Sequence, residues 1–148
     1  MRTVRTRALA ATAAVLAGLL LALGVNAGPA VAFFSGGLFL EVDLESRASL
    51  VARGAAVDVP VEVTCNATGT VDLFVSVTQR VNGRVAAGSG FAQVGCSGSG
   101  QRIVVRVTAS PSGRAFVQGT AVAEAEVFGC RPNICGLETD TETVRLRR

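Results

Sequence analysis

The residues of this chain best equipped for chemistry are four cysteines, Cys65, Cys96, Cys130 and Cys135. Two of them stand in "GCRPNICG", where Cys130 and Cys135 enclose Arg131, Pro132, Asn133 and Ile134 between flanking glycines. Four cysteines admit three disulfide pairings, and spacing alone does not choose among them. A zinc site would need histidine or paired C-x-x-C knuckles, and the chain has no histidine. Thiol redox chemistry uses C-x-x-C at a helix start, a context missing here. A protease-inhibitor loop would display Arg131 to a trypsin-like pocket, but the following Pro132 makes a bond that serine proteases cut poorly. The stronger readings are a stapled turn and a pre-organised binding loop, which loses less entropy on engaging a partner.

Other nucleophiles lack activators. "GCSGS" at 95–99 misses the G-x-S-x-G elbow by its last residue, and no histidine is present to serve Ser97. Every basic residue is arginine, so the Schiff-base amine is missing along with the commonest general base. Glu124 and Glu126 share a strand face and could imitate a glycosidase pair, yet i, i+2 carboxylates on a strand are usually solvated surface. Asn66-Ala67-Thr68 is formally a glycosylation sequon and reads as a turn. The expectation is a protein without catalytic activity, cofactor or metal.

Arg2, Arg5 and Arg7 precede an apolar run from Ala8 to Val25, and Ala30-Val31-Ala32 forms a small-residue cleavage box. That order predicts a secretory signal peptide over 1–32, and a secreted, extracellular domain over 33–148 with no membrane span. Export makes disulfides the default state of the cysteines. The whole chain carries a net charge of +3. Losing the three leader arginines leaves basic and acidic residues equal in number, so the inference from a basic chain to nucleic acid fails. Arginine without lysine, with abundant Ala, Gly and Val, points to GC-rich coding and an actinobacterial source.

From Leu38 onward the hydrophobic period is two. Leu38, Leu40, Val42 and Leu44 alternate with polar residues or Phe39, and Val57, Val59, Val61, Val63 and Cys65 repeat the pattern. Such alternation predicts antiparallel strands with one face in the core. Pro60 suggests an edge position or a bulge. Asn82-Gly83 predicts a type I′ hairpin that places Val81 opposite Arg84, Val71 opposite Val94 and Phe74 opposite Phe91. Further strands follow around Ile103–Thr108, Ala121–Phe128 and Leu137–Leu146. In the last, Leu137 differs in parity from Val144 and Leu146, which predicts a bulge. The terminal "RLRR" reads as a frayed, solvated end. Seven strands at intervals of about ten residues predict an all-β sandwich.

The strand order resembles an immunoglobulin-like sandwich of the fibronectin type III sort, with strands one, two and five in one sheet and the rest in the other. The stretches "VTCNATG", "LFVSVTQRVNGR" and "GRAFVQGTAVAEAEVFGC" resemble small secreted actinobacterial sandwich proteins without an assigned role. The Cys130–Cys135 spacing also resembles the late disulfide of neocarzinostatin-type apoproteins, which are secreted chromophore carriers. In the immunoglobulin-like arrangement the ends of strands two, four and six meet at one end of the sandwich. It therefore implies the pairings Cys65–Cys96 and Cys130–Cys135.

The function expected is contact with a protein or cell-envelope component, through loops that a rigid scaffold presents. The candidate contact residues are Asn66, Thr68, Ser97, Ser99, Arg131, Pro132, Asn133 and Ile134. A small-ligand carrier is the alternative, with Phe74, Phe91 and Phe128 as one wall of its cleft. An extracellular protease inhibitor is the third reading.

Overall fold

The computed structural model of the protein describes residues 37–148. The expected signal peptide over 1–32 and its cleavage box lie outside the described residues. Eight strands follow one another: β1 (Leu40–Leu44), β2 (Arg47–Val51), β3 (Ala56–Cys65), β4 (Thr70–Val81), β5 (Arg84–Gly95), β6 (Gln101–Ala109), β7 (Gly119–Arg131) and β8 (Ile134–Arg147). A 3-10 turn, Ala52–Gly54, joins β2 to β3.

Hydrogen bonding runs in a closed ring of seven strands, β2-β3-β6-β5-β4-β7-β8 and back to β2, with β1 beside β3. All pairings are antiparallel except β2 with β8. The link between β5 and β6 is confined to Gly88–Ala109 and Ser89–Thr108. There the backbones approach so closely that a Cβ on Gly88 would strike the Thr108 carbonyl, and one on Gly90 the Arg106 carbonyl. Only glycine fits such a crossing.

The inward residues are those the alternation named. Val57, Val59, Val61 and Val63 of β3 are fully buried, and Leu73 and Val77 of β4 meet Val127 and Ala123 of β7. Small alanines opposite larger valines keep the interior filled without overpacking. Each fully buried valine contributes roughly 1.5–3 kcal/mol relative to exposure. The hairpin forms at Asn82-Gly83, with φ of 50° and 76°, and its register places Val81 on Arg84, Val71 on Val94 and Phe74 on Phe91.

Four expectations need correction. There are eight strands among the described residues, because the first apolar segment breaks at Glu45-Ser46 and continues as β2. Pro60 sits in an interior strand rather than at an edge or bulge. It lies opposite that break, where its carbonyl accepts from the Glu45 N–H at 3.1 Å and a missing donor disturbs the ladder least. β8 has no bulge: its register against β7 is continuous from Arg131–Ile134 to Gly119–Leu146. The parity change arises because Leu137 points outward and is 53% exposed. Nor is the C-terminus frayed, since Leu146 is in the core and Arg145, Leu146 and Arg147 pair with β2.

Candidate functional site

Three loops meet at one end of the molecule. Cys65 at the end of β3 is bonded to Cys96 just beyond β5, with Cα atoms 5.2 Å apart, and Cys130 is bonded to Cys135 across the β7–β8 hairpin at 4.0 Å. Both pairings agree with the expectation. Backbone hydrogen bonds knit the same loops: Cys96 N–H to the Gly69 carbonyl, Gly98 N–H to the Cys65 carbonyl and Thr68 N–H to the Cys130 carbonyl.

The polar side chains expected to make contacts are largely engaged within the chain. Asn66 is half-buried; its Oδ1 accepts from Phe39 N–H at 2.7 Å and its Nδ2 donates to the Gly37 carbonyl at 3.1 Å. Arg131 Nη1 also donates to the Gly37 carbonyl, so the guanidinium folds back along the chain rather than projecting as an inhibitor's arginine would. Ser97 and Ser99 are exposed and share a hydrogen bond between their hydroxyls at 3.0 Å. Thr68, Pro132, Asn133 and Ile134 remain exposed. The end is a stapled, self-satisfied surface with a small hydrophobic tip at Ile134.

A second surface covers the outer face of β5-β4-β7-β8. The register places Gln93, Asp72, Phe128 and Leu137 in one row across the four strands, then Phe91, Phe74, Glu126 and Thr139, then Ser89, Ser76, Glu124 and Thr141. The next row is Ala87, Thr78, Val122 and Thr143. The rings of Phe74 and Phe91 lie 4.9 Å apart at 48°, and are 48% and 53% exposed. Between them and the two glutamates lies an open groove of about 520 Å³, also lined by Ser76 and Ser89. Phe128 stands one row away and does not line it. Val85, Val122 and Leu137 add further exposed apolar area to this face. Period-two parity in β5, β7 and β8 carried that signal.

The opposite outer face, on β3 and β6, is different. Arg106 makes a two-pronged pair with Asp58, at 2.8 and 2.9 Å, and Arg102 does the same with Glu45. Hydrogen bonds from these arginines hold the Asp58 and Glu45 carboxyls below the usual range. Both arginines are therefore engaged within the chain.

The end remote from the disulfides closes without covalent help. Gln79, on the core side of β4 and 3% exposed, donates from Nε2 to the Val117 carbonyl and accepts from the Val117 N–H, both at 2.9 Å. Beside it Phe116 is buried, and its N–H donates to the Gly54 carbonyl at 2.8 Å. A cleft of about 900 Å³ opens there, lined by Leu50, Arg53, Phe116, Val117 and Arg148 among others. Gln79 interrupts the apolar parity between Val77 and Val81, a signal that could have marked it as a buried polar anchor.

Among known proteins, no family model and no curated protein matches the chain. Among solved structures, it is similar to AggA, the major subunit of aggregative adherence fimbriae type I from Escherichia coli, at 11% identity and a TM-score of 0.39. The match covers 74% of this chain and 94% of that one.

Proposed function

We propose that this chain is a secreted, non-catalytic domain of immunoglobulin-like topology that works by surface contact, and that its contact surface is the outer face of β5-β4-β7-β8. In this reading β1, β2, β3 and β6 form one layer and β5, β4, β7 and β8 the other, with β2 passing between them. The carrying observation is the exposed aromatic and aliphatic set on that face, centred on β4 and β7, whose inward residues are buried in the core. Apolar area gathered on a rigid sheet marks a contact site more often than chance exposure does. Two disulfides suit an oxidising, extracellular setting. Reactive side chains support the same reading: Ser97 neighbours another serine, and the carboxyls with lowered pKa are already paired to arginine.

Binding of labelled protein to intact cells of its host tests this. Phe74→Ser with Phe91→Ser should lose most of the binding, whereas Asn133→Ala in the stapled hairpin should keep it. Equal binding by all three proteins, or none by the unmodified one, would overturn the assignment.

A further inference from the structure

The same face is complementary to itself. Six of the ten large hydrophobic residues exposed among those described lie on it: Phe74, Val85, Phe91, Val122, Phe128 and Leu137. Most remaining positions are Ser, Thr or Ala, whose short side chains leave the surface flat. Its charges are divided lengthwise. Asp72 and Glu126 occupy the half towards the disulfides and Glu124 the middle row, while Arg80, two residues past Thr78, and Arg145, two past Thr143, occupy the other half. None of these five makes an ion pair with another described residue, in contrast to Arg102 and Arg106 on β6.

We infer that the occupant of this face is a second copy of the chain, packed sheet on sheet with its strands antiparallel. Resting on the contact reading above, this inference names the partner. A half-turn about an axis running across the strands lays Asp72 and Glu126 of each copy over the arginine half of the other, with Glu124 beside the axis. A half-turn about an axis along the strands would set acid on acid and arginine on arginine, and like charges meeting across an interface are costly. The charge pattern thus selects one two-fold arrangement, in which the same patch serves both copies. Sheets packing face to face align within about 30°, which brings the phenylalanine rows into the interdigitated layer. Size is sufficient. Four strands about 4.8 Å apart and nine residues of about 3.4 Å rise give a footprint of roughly 550 Å² per copy. The pair then covers roughly 1,100 Å², just above the ~1,000 Å² that separates specific contacts from casual ones.

The test is sedimentation velocity on the disulfide-intact protein, at concentrations up to about 200 µM to cover the micromolar affinities such an interface reaches. The unmodified protein should dimerise. Phe74→Ser with Phe91→Ser should weaken the dimer about tenfold or more, and Val104→Ser on the opposite face should leave it unchanged. Two charge variants decide the geometry: Asp72→Asn with Glu124→Arg and Glu126→Arg makes the face wholly basic, and Arg80→Glu with Arg145→Glu makes it wholly acidic. Each alone should be monomeric, and an equimolar mixture should recover a dimer, which also shows that both are folded. A protein monomeric throughout the range, or a dimer indifferent to both charge variants, would overturn the inference. If the protein is monomeric and Phe74→Ser with Phe91→Ser still loses binding to host cells, self-pairing falls while the contact reading stands. If that binding is also unaffected, both fall.

Discussion

The two ends of the molecule solve one problem in different ways. At each end, loops must be tied across the core so that the ring of strands stays shut. Near Cys65 and Cys130 the ties are covalent, and the backbone bonds around them repeat the same connections. At the other end one buried amide does the work of a strand partner, as Gln79 offers Val117 the donor and acceptor that a neighbouring backbone would supply. Phe116 seals the opening beside it. A disulfide acts mainly by limiting the unfolded chain, whereas Gln79 and Phe116 act only in the folded state. The covalent end should therefore resist local opening, and the non-covalent end should open first.

Substitutions can break this contrast. Phe116→Ala should have the largest effect, about 3–5 kcal/mol of stability by chemical denaturation, because a buried ring leaves a cavity that the surrounding strands cannot fill. Replacing Cys65 and Cys96 by alanine should cost about 3–4 kcal/mol, as expected for a loop of this length. A loss far below that of Phe116→Ala would mean that the hydrogen bonds at the disulfide end already hold it shut. Gln79→Ala orphans two backbone groups of Val117 and should cost about 2 kcal/mol. Amide exchange at Val117 should accelerate while exchange at Cys96 and Gly98 stays slow; equal acceleration at both ends would erase the contrast.

The smallest effect concerns acid. The acids with lowered pKa sit on the wall between the ends, Asp58 beside Arg106 and Glu45 beside Arg102. A carboxyl whose folded pKa lies below its unfolded value adds stability that is complete above the unfolded value, about 4, and lost as pH falls through the folded one. Melting curves should thus show a modest loss of stability below about pH 4. Asp58→Asn should reduce that loss, and the amide-exchange difference between the ends should persist across the same interval.

Much of the wall was legible in the sequence, since a half-buried strand must alternate. Asn82-Gly83 fixed every opposed pair of β4 and β5, because a two-residue turn leaves no freedom of register. Leu137 misled for an instructive reason. An apolar residue of outward parity imitates a bulge when an outer face is assumed to be polar, and here that face carries six large apolar residues. The cysteine pairing was legible only through a fold, and the engagement of Asn66 and Arg131 was not legible at all. Their partners, Phe39 and Gly37, lie far away in sequence, and no local pattern records such bonds.

What the sequence determined by itself was whatever depends on neighbours along the chain: strand parity, the hairpin register and the types of residue available for chemistry. Tertiary structure alone decided the closure of the ring through β2 and β8, the role of Gln79, and the pairing of Arg102 and Arg106 with Glu45 and Asp58. The physical reason is common to all three. Each depends on distances between residues remote in sequence, and those distances exist only once the strands have packed.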